Sequence, residues 1–140
     1  MDPLSVIASS VAVAHTLHVT LRNVQATRRA QPELTLLYNE VSDLRLILQE
    51  LEAVLEKREH TASPLPPDAR LHQASTDART KLEQFADEIS AWRLKVPGTD
   101  ADTEQKRFRM LRIGRKALKL KEGIKDLKIT LSAQLSALTA

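Results

Sequence analysis

The sequence predicts an all-α protein, an antiparallel up-down-up-down four-helix bundle. Leu and Ala dominate its apolar residues, while its three Gly, two Phe, one Trp and one Tyr are too few for a turn-rich β fold. Four long stretches also repeat their apolar residues at steps of three and four. At 140 residues the chain is expected to form one domain. The absence of Cys excludes a disulfide framework and a thiolate zinc site, and it fits a reducing interior.

The first helix is predicted over residues 3–29, with Asp2 as its N-cap and Pro3 at its first helical position. Because Asp2 and no Lys or Arg precede the apolar run, we expect mature sequence rather than a signal peptide. Residues 3–21 carry no formal charge and approach the roughly 20 residues needed to span a bilayer. Seven of them are Ser, Thr or His, which favours a buried core helix. Its apolar residues form two neighbouring stripes: Leu4, Ile7, Val11, Ala14 and Leu21, and Val6, Val13, Leu17 and Val24.

Three more helices are predicted over residues 32–59, 68–96 and 103–138. The second has an unbroken seam of seven Leu or Val residues at steps of three and four, which is typical of a bundle helix. Three prolines within residues 64–67 predict a loop before the third helix, and Pro97 and Gly98 end that helix. Gly114 and Gly123 favour a bend in the fourth helix without dividing it. The predicted core contains Val11, Leu17, Leu44, Leu48, Leu51, Leu82, Phe85, Ile89, Ile124, Leu127 and Leu131.

No constellation of residues predicts catalysis, a metal site or a cofactor. His15 and His18 have a spacing that suits two metal ligands, but the nearest third ligand, His72, belongs to another helix. Since His18 falls in the apolar stripe of the first helix, we expect a neutral, hydrogen-bonded imidazole. The carboxylate clusters predict solvated helix faces rather than general acids and bases. These clusters are Glu50, Glu52, Glu56 and Glu59, and Glu83, Asp87 and Glu88.

The fourth helix concentrates positive charge. Residues 106–128 hold ten Lys or Arg against two acids, a local charge of +8, although the whole chain carries only +3. This pattern suits contact with an anionic membrane, and equally a solvated flank paired with acids of the second and third helices. Nucleic-acid binding is disfavoured because Phe108 is the one aromatic side chain in this segment. The candidate lipid-binding residues are Arg109, Arg112, Arg115, Lys116, Lys119, Lys121 and Lys125.

The opening Met1-Asp2-Pro3-Leu4-Ser5-Val6-Ile7-Ala8-Ser9-Ser10 resembles the start of the fungal N-terminal domain of STAND, or NLR-like, receptors. The Leu-rich pattern of residues 37–48 and the segments 117–119 and 127–132 extend the likeness over nearly the whole chain. The sequence is also similar to the HeLo-like group, and distantly to the four-helix domains of mixed-lineage kinase-like pseudokinases and certain plant resistance receptors. Unlike many members, this sequence has no Gly in the middle of its first helix.

The resemblance implies an effector domain that triggers regulated cell death by oligomerising and contacting anionic membrane. It also implies a cytoplasmic protein that relocates to the plasma membrane and continues into nucleotide-binding and repeat domains. No nucleotide-binding motif lies within the 140 residues, so we expect a fragment of such a receptor. The alternative function is a passive oligomerisation or adaptor bundle. If the first helix inserts into lipid, the residues expected to enter are Leu4, Ile7, Val11 and Leu17.

Overall fold

The computed structural model describes residues 3–27, 32–59, 69–94 and 103–139, and all of them are helical. Helix α1 spans Pro3–Thr27, α2 spans Pro32–Glu59, α3 spans Ala69–Leu94 and α4 spans Thr103–Thr139. The predicted all-α fold with four helices is therefore confirmed, and α4 continues through both of its glycines.

The helix boundaries agree closely with those predicted. The bounds of α2 match, and α4 extends one residue beyond the predicted end at 138. The remaining predictions concern residues 28–29, the loop at 60–68, the cap at Asp68, and the end of the third helix at 95–98. All of these lie outside the described residues.

The core is a continuous layer of Leu, Ile, Val and Ala side chains contributed by all four helices. Nine of the eleven predicted core residues are buried, with Leu127 at 4% exposure the most accessible of them. Val11 and Phe85 were also predicted to be core residues, and this prediction is wrong. Both are only half-buried and pack against the edge of the cluster. Val11 lies on the edge of the α1 stripe, where a β-branched side chain still leaves part of its surface in water.

Helix α2 packs against both α1 and α4, and α1 packs in turn against α3. Contacts between α3 and α4 are much sparser, and in the described part of the chain α2 does not contact α3. Glu40 and Asp43 of α2 contact Lys128 of α4, while Arg58, further along α2, bonds to Leu138, further along α4. Residue numbers therefore rise together in α2 and α4, which run in the same direction.

The sparse contact between α3 and α4 includes a close approach of the Phe85 ring to Gly123. A Cβ atom built on Gly123 would lie 2.9 Å from Cζ of Phe85, closer than carbon atoms normally approach. The same construction at Gly114 gives 3.4 Å to Cδ of Glu33, an ordinary van der Waals contact. A methyl group at Gly123 would therefore have to displace the tip of the Phe85 ring, whereas Gly114 has space for a methyl group.

The two glycines should respond differently to replacement by Ala. Gly114→Ala should raise the free energy of unfolding by up to about 1 kcal/mol, because Ala is the better helix former. Gly123→Ala gains the same propensity but must displace the Phe85 ring, so it should be less stabilising or destabilising. Chemical denaturation of both variants checks this. In a Phe85→Leu background the difference between the two sites should shrink, and an unchanged difference would contradict the packing explanation.

Candidate membrane interface

The candidate lipid-binding cations are on the surface of α4. Arg112, Arg115, Lys119 and Lys125 are exposed, whereas Lys116 and Lys121 are half-buried. The side chain of Arg109 lies outside the described residues. On the helical wheel, four cations occupy the flank of α4 nearer α3: Arg112, Arg115, Lys116 and Lys119. Lys121 and Lys125 occupy the flank nearer α2.

Most of these cations have no acidic partner among the described residues. The one ion pair within the set joins Lys121 to its neighbour Glu122 at 4.0 Å, and the Glu122 side chain is 66% exposed. Such a pair contributes little, because water screens it and both side chains must be ordered. The described part of the chain therefore leaves the flank from Arg112 to Lys119 available for an external anion.

Lys128 behaves differently, although it continues the flank that faces α2. Its Nζ donates to Oε2 of Glu40 at 2.8 Å and to Oδ2 of Asp43 at 3.1 Å. The hydrogen bond to Glu40 is the main cause that raises the pKa of Lys128 above its usual value, with Asp43 adding to it. Internal pairing of α4 with α2 thus occurs at these two acids. We find no such pair to Glu50, Glu52 or Glu56 among the described residues.

Large apolar side chains separate the two basic flanks of α4. Leu118 is 40% exposed and Ile129 is 64% exposed, and both lie opposite the core stripe. A leucine or isoleucine between lysines and arginines resembles the arrangement of helices that lie in a membrane interface. Scattered exposed apolar residues are also normal on soluble proteins, so these two side chains support the interface only together with the cations.

The residues proposed to enter lipid are held in the bundle. Ile7 and Leu17 are fully buried in the core, and Leu4 and Val11 are half-buried. Within the described residues, Leu4–Val24 is the one helical segment long and apolar enough to cross a membrane, a property that core helices of soluble proteins share. Because its apolar side chains already form the core, α1 must leave the bundle before it enters a bilayer.

A polar cluster between α1 and α2 was not anticipated from the sequence beyond His18. The His18 Nε2 atom lies 2.9 Å from the Ser42 hydroxyl oxygen, and the ring stacks on Tyr38 with centroids 4.5 Å apart. Arg45 reaches over with its Nη1 atom 3.4 Å from Nδ1 of His18 and 3.5 Å from Nδ1 of His15. Burial is the largest cause that lowers the pKa of His18, followed by Arg45. The predicted hydrogen bond of His18 is confirmed, and the lowered pKa favours the neutral imidazole.

The described ranges contain no evident metal site. They contain no group of three or more His, Asp or Glu side chains that could hold a metal ion. An open groove lies between α1 and α3, with Glu83 and Asp87 on one wall and Ala12, Val13 and Thr16 on the other. Glu83 bonds to Arg79 at 3.5 Å, as is common on a solvated helix face.

No model of a known protein family matches this chain, and neither the curated proteins nor the solved structures contain a significant match.

Lys128 and Lys125 form a matched pair on one flank of α4, one bonded to α2 and one exposed. Lys128→Met should lower the free energy of unfolding by up to about 1 kcal/mol, because it leaves Glu40 without its partner. Lys125→Met should have no measurable effect.

The contribution of Lys128 to stability should also depend on pH. Since the pKa of Lys128 is raised, the stabilisation of the folded state by this side chain is complete at neutral pH and is lost as pH rises through that raised value. Denaturation at pH 7 and in strong alkali tests both statements, and equal effects of the two variants would refute them.

Proposed function

We propose that this chain is the N-terminal effector domain of a fungal NLR-like receptor. In this proposal it oligomerises and contacts anionic membrane, relocating from the cytoplasm to the plasma membrane, and thereby triggers regulated cell death. The observation that carries the proposal is the exposed flank Arg112, Arg115 and Lys119 on α4. No acidic residue in the described part of the chain pairs with it. The resemblance of the opening residues to such receptors supplies the biological context.

Electrostatic attraction provides the first step. Each Lys or Arg near an anionic leaflet contributes about 1 kcal/mol, and the attraction decays over a Debye length of about 8 Å at physiological salt. Arg115 and Lys119 are one helical turn apart, so both reach the same flat surface. Leu118 lies beside them and adds apolar contact at the level of the headgroups.

Insertion of α1 is the proposed second step, and the helix already satisfies most of its own polar groups. Ser10, Thr16 and Thr20 each donate a hydroxyl hydrogen bond to the carbonyl oxygen four residues earlier, at 2.9, 3.1 and 2.8 Å. These hydroxyls keep their partners when the helix moves, so lipid burial does not leave them unpaired. The main polar cost comes from Arg22, which is charged and lies within the span Leu4–Val24, and from His15 and His18, whose partners belong to α2.

The up-down-up-down arrangement belongs to the same proposal. Contacts of His18 with Ser42 and of His15 with Arg45 are those of an antiparallel α1–α2 pair. Helices α2 and α4 run in the same direction, so an α3 antiparallel to both completes the arrangement. In this bundle no described residue of α1 has its Cα atom within 8 Å of a Cα atom of α4. Helix α1 can then leave without detaching α4 from the surface.

A passive oligomerisation or adaptor bundle is the second candidate function. The observation in its favour is a set of large exposed apolar side chains on α2 and α4, which suit contact with another protein. This candidate predicts self-association without leakage of vesicles. The exposed set is Leu36, Leu46, Leu118 and Ile129.

Charge reversal tests recruitment. The double variant Arg115→Glu, Lys119→Glu should lose most of its binding to vesicles that contain phosphatidylserine at physiological salt. The matched control is Lys57→Glu, Lys81→Glu, which makes the same change in net charge at two other exposed positions. The control should retain most of its binding, because the attraction depends on which face meets the membrane. Cosedimentation with vesicles measures both variants, and equal losses would mean that net charge rather than this flank drives binding.

A buried charge tests insertion. Ala8 of α1 and Ala53 of α2 are both exposed, so Asp at either position should leave the bundle folded. Ala8→Asp adds about 2.5–3.5 kcal/mol to the cost of placing α1 at the bilayer centre, and Ala53→Asp adds nothing to it. We expect Ala8→Asp to bind anionic vesicles normally and to abolish dye leakage. If Ala8→Asp causes as much leakage as the control Ala53→Asp, then α1 does not insert.

A further inference from the structure

The cluster His15, His18 and Arg45 does more than fill the α1–α2 interface, because its geometry constrains where protons can be. A guanidinium group has donors and no acceptor, so each Nδ1 atom that Arg45 approaches must offer a lone pair. Arg45 can therefore hydrogen-bond to either ring only while that imidazole is neutral. In the neutral form of His18 that accepts at Nδ1, the proton is on Nε2, which lies 2.9 Å from the Ser42 hydroxyl oxygen and can donate to it.

We propose that His15, His18 and Arg45 form a proton-sensitive latch, which holds α1 against α2 when the imidazoles are neutral and releases α1 on acidification. Adding a proton to either Nδ1 places an imidazolium against the Arg45 guanidinium. The hydrogen bond is then lost and replaced by repulsion between like charges about 3.5 Å apart.

Among the described residues, no neighbouring acid is placed to offset the added charge. On α1 the next charged group is another cation, Arg22, one turn beyond His18, and it too lowers the pKa of His18. On α2, Tyr38 and Ser42 are neutral, and Glu52 lies seven residues beyond Arg45, about 10 Å along the axis.

The nearest acids on other faces are already engaged or face elsewhere. Glu40 and Asp43 of α2 bond to Lys128 on the side of α4. The acids that α3 presents to α1, Glu83 and Asp87, line the groove at Ala12, Val13 and Thr16, and Glu83 also bonds to Arg79. Acidification thus gathers as many as four positive charges at one place on the α1–α2 interface.

The latch also leaves a polar atom in an unfavourable position. The Nε atom of Arg45 is buried and has no hydrogen-bond partner in the described part of the chain. A buried unpaired donor is unfavourable, so the closed state depends on the remaining contacts of this side chain. An interface that already contains such a cost needs less additional repulsion to open.

The direction of the pH effect follows from the lowered pKa of His18. The folded state binds its proton less readily than the unfolded state, so the contribution to stability is complete above the usual histidine pKa of about 6.5. It declines as pH falls from that value toward the lowered pKa of the folded state. The consequence for membrane insertion rests on the proposed function, but the latch itself does not.

Spin labels measure the latch directly in the absence of lipid. The chain has no Cys, so Val19→Cys and Leu46→Cys place labels at two exposed positions, one on α1 and one on α2. Between pH 8 and pH 5 we expect the distance distribution to broaden and move to longer values. His15→Gln, His18→Gln should remove most of this change. The control His72→Gln, at an exposed position on α3, should retain it.

A second variant guards against misfolding of the histidine double variant. Arg45→Gln removes the fixed cation and leaves both histidines in place, so the acid-induced change should shrink to less than about half of that in the parent chain. By nuclear magnetic resonance, the titration midpoint of His18 should move upward in this variant.

Two results would overturn the latch: an unchanged distance distribution in the parent chain at pH 5, or the same opening in the histidine double variant. Leakage assays at both pH values separate this proposal from the proposed function. Acid opening in solution without increased leakage supports the latch and contradicts insertion of α1. Leakage that is independent of pH, together with no opening in solution, contradicts the latch alone.

Discussion

The leucine seam of α2 is the constraint on which the remaining structure depends, because α2 packs against both α1 and α4. Leu37, Leu44, Leu48 and Leu51 are completely buried along this seam. Their burial removes apolar surface from water on both sides of the helix, and each side chain contributes about 1.5–3 kcal/mol. Loss of the seam would weaken the connection between α1 and α4 as well as destabilising each helix, since within the described residues the backbones of those two helices do not approach each other to a Cα–Cα distance of 8 Å.

Polar contacts at the two edges of α2 differ in kind. Toward α4, Glu40 and Asp43 bond to Lys128, and a lysine is charged at any physiological pH. Toward α1, Arg45 approaches the Nδ1 atoms of two imidazoles, to which it can donate only while those rings are neutral. One edge is therefore a permanent contact and the other a conditional one. If a helix is to leave this bundle while the remainder stays together, the arrangement favours α1.

Sequence periodicity predicted the helices and nearly all of the core, because helices that pack through one face must repeat apolar residues every three or four positions. It could not predict which helices are neighbours, since any apolar stripe fits any other. The distinction between Lys125 and Lys128 depends on that neighbour relation, and only the position of α2 shows that Lys128 is paired. Phe85 fits the stripe of α3 equally well in sequence. It is half-buried because α3 and α4 meet through a thin contact at Gly123.

The candidate site illustrates the same limit in more detail. The concentration of Lys and Arg in α4 was visible in the sequence, whereas the Arg45 cluster was not, because Arg45 is separated from His15 by 30 residues. The available signal was weak: His15, His18 and Arg22 recur at steps of three and four on one face of α1. A helix that uses this face for packing does not normally place three basic or titratable residues along it. Such a stripe, adjacent to an apolar one, indicates a polar partner on the neighbouring helix, and here that partner is a second cation. A guanidinium facing imidazoles can bind them only while they are neutral. The pH dependence of the interface therefore follows from the identity of the residue at position 45.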